Sequence, residues 1–319
     1  MLKKPMVSII IPVYNGANYM KEAIDSALNQ TYDNIEVIVI NDGSNDQGKT
    51  EKIALSYGDR IRYFYKENGG VSSALNLGIR MMKGDYFSWL SHDDVYCLNK
   101  IEKQIEIANM YDKENLLIYC RAIQIDKNSE KLAQVSKANQ FKLNKITQGS
   151  DVLLDLLKNG SLNGCALLIH RSVFFDNKLF FNENLRYAQD LLMWYQIFLK
   201  NYDLFLVNEE LVKSRVHEKQ LTQTGRAVFK KDSNLIGALL SDTFLEKSTK
   251  KYQFIYYYLR DNAKYGNKEV VKAGKKKARK ARKITIKQAV QLNLWSFYGF
   301  IRPIIRKIYY RLFRKMKTN

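Results

Sequence analysis

The sequence predicts an α/β fold: a mostly parallel sheet flanked by helices, followed by a helical, basic and amphipathic extension. Three observations carry this. Four short apolar runs, Val7 to Val13, Ile35 to Ile40, Arg60 to Tyr65 and Tyr86 to Ser91, alternate with helical patterns at the spacing of βαβ units, whose crossovers are right-handed. The runs are β-branched or aromatic and mostly lack polar alternation, as strands buried on both faces do. The charge is divided unevenly, since residues 245–319 hold 22 Lys+Arg and 3 Asp+Glu, leaving 30 and 29 for residues 1–244. A near-neutral globular part, residues 1–225, and a cationic extension, residues 226–319, are therefore expected. The extension suits an acidic surface, membrane or nucleic acid.

With 319 residues and 46% hydrophobic content the chain can bury a real core, which excludes a disordered protein. Cys97, Cys120 and Cys165 have no paired spacing, so neither a disulfide framework nor a zinc site is indicated and a reducing cytosol fits. Met1 to Pro5 leads straight into strand-like sequence without a signal-peptide pattern. No window reaches the roughly 18 uninterrupted apolar residues of a spanning helix.

In order, the Val7 to Val13 strand breaks at Tyr14-Asn15-Gly16 before a helix from about Asn18 to Asn29. The second strand ends in Asn41 to Asp46, a cluster of turn formers, before a helix near Gln47 to Tyr57. Asn68-Gly69-Gly70 turns the chain into a third helix, Val71 to Met82, with small residues at Ser72, Ser73 and Ala74. The fourth strand ends at the adjacent carboxylates Asp93 and Asp94. Further on, Leu116 to Asp126 reads as a strand with a hairpin at Asn128-Ser129, Gly149 to Asn159 as a helix and Leu162 to His170 as a buried strand, and Asn184 to Lys200 contains Leu191, Trp194, Tyr195 and Phe198 at helical spacing. Leu204 to Val207 and Leu211 to Val216 read as two short strands.

The candidate site lies at the strand tips. Pro12 to Asn15, Asn41 to Ser44 and Ser91 to Asp94 should emerge on one edge of a parallel sheet, where ligands of open α/β folds bind. Carboxylate oxygens there suit a hard divalent cation neutralising phosphates; Asp93 equally suits capping a helix that starts near Leu98. Asp190 falls in the first turn of an apolar helix, placed either for the helix dipole or as a general base. His217, among Arg215, Lys219 and Gln220, reads as a phosphate-binding turn or a surface loop, His170 as structural, and His92 follows the acid pair. Neither GxGxxG nor GxxxxGK[ST] occurs.

These residues resemble family 2 glycosyltransferases of the GT-A, nucleotide-diphospho-sugar transferase fold, over about residues 6 to 225. The resemblance rests on Val7 to Asn15, Ile38 to Ser44, Asn68 to Asn76, Gly84 to Asp94 and Gln189-Asp190, in the family's order. It implies inverting transfer of a sugar from a nucleotide-diphosphate donor to an acceptor hydroxyl, with Mn²⁺ or Mg²⁺. By position, Pro12, Tyr14 and Asn15 would line the base pocket and Asp42 would hold the base or ribose. Asp93 and Asp94 would supply ribose contact and metal ligand, and His217 would stand near the diphosphate and metal. Ser44, Asn68, Gly70, Ser91 and His92 complete the expected donor site, and Asp190 matches the catalytic base. The family's Asp-x-Asp-Asp has Ser91 in its first place here.

In the extension, Lys272 to Lys283 is a basic run, Leu292, Trp295, Phe297, Tyr298 and Phe300 follow, and then Ile301, Ile304, Ile305, Ile308, Leu312, Phe313 and Met316 recur at helical spacing among Arg302, Arg306, Arg311 and Arg314. This reads as an in-plane amphipathic helix, kinked or restarted at Pro303. The expectation is an enzyme peripheral on the inner face of the cell membrane, acting on a lipid-linked saccharide of a bacterial surface polysaccharide. A nucleic-acid-binding protein using the basic run is the alternative, disfavoured because residues 1–244 carry no RNA- or DNA-module signature.

Overall fold

The β-branched runs do form the sheet. The computed structural model describes residues 4–132, 144–160, 162–218 and 226–316. β1 (Val7–Val13), β2 (Ile35–Asp42), β3 (Arg62–Lys66) and β4 (Tyr86–Trp89) pair in parallel in the order β3-β2-β1-β4, linked by α1 (Met20–Leu28), α2 (Lys49–Leu55) and α3 (Val71–Met81). Every residue of β1 is buried, as a strand with neighbours on both sides and layers on both faces must be. The β1–β4 register closes at Ile10 opposite Trp89, and the Leu90 N–H donates to the Ile10 carbonyl at 3.0 Å. Pro12, two residues on and facing the same way, has no N–H to donate back to Leu90, and the ladder ends there.

The second half adds β5 (Val95–Tyr96), α4 (Lys100–Tyr111), β6 (Leu116–Ile125), β7 (Ile146–Thr147), α5 (Gly149–Asn159), β8 (Leu167–His170), α6 (Ser172–Phe175), α7 (Gln189–Leu199) and β9 (Asp203–Arg215). The sheet continues β4-β8-β6-β9-β5, with β7 also on β9. β8 runs antiparallel to β4 and β6, whereas β6 and β9 are parallel.

Three expectations need correction. The strand anticipated from Leu162 begins only at Leu167, because Gly164 lies against the Trp89 indole, where a Cβ would come within 2.4 Å of Cε3, and residues 164–166 form a 3₁₀ turn. The two strands expected from Leu204 to Val216 are one, β9, whose register against β6 slips between Cys120 and Arg121 and so accommodates the exposed Asn208 and Glu209. The last helix, α11 below, continues across Pro303 instead of restarting.

Beneath the tip of β4 the core holds a charge. Lys100 is fully buried, its Nζ donating to Ser88 Oγ and Gln104 Oε1, both at 2.9 Å, and lying 4.1 Å from the centroid of the Tyr96 ring. Burial pushes its pKa down to about 8.

The chain divides into two compact units, residues 1–156 with 160–224, and residues 157–159 with 225–319. The second comprises α8 (Arg226–Lys247), α9 (Phe254–Lys264), α10 (Lys268–Lys280) and α11 (Ile286–Met316), packed through Leu240, Phe244, Leu259, Val271, Ala278 and Leu292. α9 and α11 meet at Gly299, where a Cβ would stand 2.2 Å from the Ala263 carbonyl oxygen. The expected side-chain pattern of Arg306, Ile308, Arg311, Leu312, Phe313, Arg314 and Met316, like Lys219 and Gln220, lies outside what is described. Among the described residues no helix is long and apolar enough to cross a membrane.

Candidate active site

Because β1, β2 and β4 are parallel neighbours, their C-terminal ends and the loops beyond them share one edge. The loops are tied to each other. Asn15, in the left-handed region at φ 51°, donates its N–H to Ser44 Oγ at 2.9 Å, and its side chain exchanges bonds with Asn45. Gly16 lies so close to the His92 ring that a Cβ would come within 2.7 Å of Cδ2. Tyr14 is exposed at this edge, whereas burial holds the His92 imidazole below its usual pKa. His92 is thus a packing group of the loop junction.

Asp42 is buried and already occupied. Its Oδ1 accepts from Lys66 Nζ at 2.7 Å and from Gly69 N at 3.0 Å, and its Oδ2 accepts from Gly70 N at 2.7 Å. Asn68 Nδ2 donates to the Asp42 carbonyl at 2.8 Å. Gly70, at φ 87°, can turn that N–H inward because it has no Cβ. Asp42 therefore fixes the loop before α3, and Lys66, which sequence reading did not single out, is the cation beside it.

The acid pair separates into two environments. Asp93 Oδ2 lies 3.0 Å from His217 Nε2, and Asp93 caps no helix, since α4 starts after Asn99 without a side-chain cap. Asp94 is buried, its Oδ1 taking the Arg215 N–H at 2.9 Å, and burial together with the Asp93 charge pushes its pKa up to about 7. Ser91, in the family's first acidic place, donates its N–H to Cys165 Sγ at 3.3 Å and accepts from that thiol at 3.4 Å.

Arg215 organises this pair. Its side chain is fully buried, donating from Nε to the Asp93 carbonyl at 2.8 Å, from Nη1 to the Asp126 carbonyl at 3.1 Å and Ser129 Oγ at 2.9 Å, and from Nη2 to Glu22 Oε2 at 2.6 Å. Its guanidinium carbon lies 4.5 Å from the centroid of Tyr19, whose ring centre stands 5.3 Å from that of His217. Arg215→Ala removes the donor to two part-buried carbonyls and to the exposed Glu22 carboxylate. It should lower stability by about 2 kcal/mol; an unshifted thermal melt would count against this role.

Asp190 sits in the first turn of α7, where Leu191 N–H donates to Oδ1 at 2.7 Å. Burial nevertheless pushes its pKa up to about 6. The segment leading to it is held from two sides. Asn76 of α3, buried, donates to the Phe181 carbonyl at 2.9 Å and to Glu183 Oε1 at 2.8 Å and accepts the Phe181 N–H at 2.9 Å, while Arg186 Nη1 donates to the Gly69 carbonyl at 3.0 Å. The Phe181 ring stands edge-on to Trp89 of β4 at 6.0 Å and to Trp194 of α7 at 6.3 Å. An aromatic series therefore joins the helix of Asp190 to the strand that carries the acid pair. Trp89 Nε1 and Gln189 Oε1 are buried without a hydrogen-bond partner among the described residues. His170, as expected, is structural, bonded to Ser172 Oγ at 2.9 Å.

Residues 8–175 match the family model for glycosyl transferase family 2. The chain belongs to that family. An uncharacterised glycosyltransferase of Rickettsia typhi is 53% identical to this glycosyltransferase over 220 residues, covering 69% of this chain and 67% of the relative. One from Rickettsia prowazekii is 49% identical over 247 residues, covering 77% and 74%. Among solved structures, residues 1–349 of S. aureus TarS in complex with UDP-GlcNAc superpose with a TM-score of 0.63 at 16% identity, covering 93% of this chain and 91% of that one. The glycosyltransferase thus has the GT-A fold read from its sequence. Its Asp190, Arg215 and His217 all lie beyond the stretch that the family model matches.

Proposed function

We propose that this glycosyltransferase moves a sugar from a nucleotide-diphosphate donor to a hydroxyl of a lipid-linked saccharide, with inversion at the anomeric carbon, in the synthesis of a bacterial surface polysaccharide. The observation that carries the reading is the acid pair with His217 at the edge where three strand tips are tied together. The UDP-GlcNAc bound by TarS, of the same fold, supports the donor class. Pro12, Tyr14, Asn15, Asp42, Ser44, Asn68, Gly70, Ser91 and His92 border the donor in this reading, with Lys66 beside Asp42.

Among the described residues no group of three or more His, Cys, Asp and Glu side chains forms a metal cage. Asp93 and His217, one carboxylate and one imidazole at the edge, fit a divalent cation that arrives with the donor, since Mg²⁺ is usually held by one or two carboxylates plus substrate phosphates. Asp94, with one oxygen taken by Arg215, is the poorer ligand. Bound Mn²⁺ or Mg²⁺ would act as a Lewis acid toward the diphosphate.

Asp190 serves as the base. Its carboxylate takes the proton of the acceptor hydroxyl while that oxygen bonds to the anomeric carbon and the bond to the diphosphate breaks. The base works only when ionised, so kcat/KM should rise with pH through about 6 and level off above. A profile flat from pH 5 to 7 would speak against the assignment. The reading as a whole is tested by screening nucleotide sugars for donor hydrolysis and for transfer to lipid-linked acceptors, with and without EDTA. No turnover of any donor would refute it.

The same reading places the enzyme on the inner face of the cell membrane. Val270 to Asn319 contains 16 Lys+Arg and no Asp or Glu, and an anionic leaflet attracts such a segment by about 1 kcal/mol per base that reaches it.

A further inference from the structure

We propose that Ile286, Val290, Leu294, Phe297, Phe300 and Ile304 form the face by which α11 enters an anionic bilayer. This rests on the membrane reading above and adds the surface that performs it. The sequence pattern drew attention to Leu292 to Met316; the exposed apolar face begins earlier, at Ile286.

At about 100° per residue the six side chains fall within an arc of about 120° along five turns of helix. All six are exposed, Ile286 at 75%, Leu294 at 65% and Phe297 at 63%. The other side of α11 is the packed one. Ala289, Leu292 and Gly299 are buried there, with Gly299 against the backbone of α9. Tyr256 of α9 also donates to Gln291 Oε1 at 3.0 Å. Docking onto α9 therefore consumes one face of α11 and leaves the apolar one outward.

An exposed apolar surface of this length, interrupted by Asn293, which accepts from Lys275 Nζ of α10, marks an interaction site. Charge selects the occupant. Lys272, Lys276, Arg279 and Lys280 of α10 are exposed, as is Lys287 on α11, and no acid follows Glu269. A second copy would bring the same cationic surface against itself, and a nucleic acid would leave six apolar side chains in water. An anionic leaflet satisfies both features, taking the apolar side chains below the headgroups and the bases among them.

The test uses the full chain, with vesicles of phosphatidylcholine alone or mixed with phosphatidylglycerol. The wild type should pellet with the anionic vesicles at low salt. Leu294→Ser with Phe297→Ser should weaken partitioning by about thirtyfold, equivalent to about 2 kcal/mol. Both positions are exposed, so the fold should survive, and donor hydrolysis equal to that of the wild type shows that it has. Three results would overturn the proposal: wild type remaining in the supernatant, the double variant binding as the wild type does, or a wild-type dimer in solution that the double variant dissociates. Vesicle binding without turnover of any nucleotide sugar would leave this surface standing and remove the glycosyl-transfer chemistry instead.

Discussion

Asp190→Asn should lower turnover by about a hundred- to ten-thousandfold while donor affinity stays within a few-fold of the wild type. The substitution keeps the side chain's shape and the acceptor for the Leu191 N–H, and removes only the capacity to take a proton. Losing that carboxylate also removes a buried charge, so the variant should be no less stable than the wild type. Three measurements separate the possible roles: single-turnover rate, nucleotide affinity and thermal melt. A base loses rate alone. A charge placed only for the helix dipole would lose a few tenths of a kcal/mol of stability and leave the rate untouched. A rate within a few-fold of the wild type would return Asp190 to that structural role.

Asp93→Ala should reduce donor turnover in Mn²⁺ or Mg²⁺ by about a hundredfold or more, the scale of losing one element of electrostatic stabilisation at a developing anion. Its carboxylate meets His217 rather than the backbone, so the fold does not depend on it. Asp94→Ala should act differently, because that carboxyl receives the Arg215 N–H in the interior, and its loss should appear first in the melting temperature. Titrating nucleoside diphosphate with and without the metal gives the decisive comparison. Metal-enhanced binding should vanish in the Asp93 variant. Full wild-type activity in EDTA would remove the metal from the proposal altogether.

Much of this was legible in the sequence for a definable reason. β1, β2 and α3 announce themselves by period and by the turn formers that bound them, and α5 runs from Gly149 to Asn159 as its pattern predicts. Once four strands alternate with helices, parallel pairing alone brings Asn15, Ser44 and Asp93 to one edge. What was hidden depends on partners far away in sequence. Arg215 reaches Asp93 across 122 residues and Glu22 across 193, and nothing local to residue 215 distinguishes it from the bases expected nearby. Lys100 reads as the solvent face of a helix; only Ser88, Gln104 and Tyr96 around it make it a core residue. The slip that merges two expected strands into β9 has the same character, since Asn208 and Glu209 look like a turn until β6 is seen to run alongside.

The guanidinium of Arg215 also sets an order of events during synthesis. It joins three segments, at Glu22, at Asp93 and at the turn of Asp126 and Ser129, and it belongs to the last strand of the sheet to leave the ribosome. A nascent chain that has reached residue 175 already contains both carboxylates of the pair, but neither the N–H that Asp94 accepts nor the imidazole that meets Asp93. Contacts of such long sequence separation form late. The donor edge is therefore finished only when translation has passed residue 217, and until then the growing polypeptide carries the acids without the side chains that hold them in place.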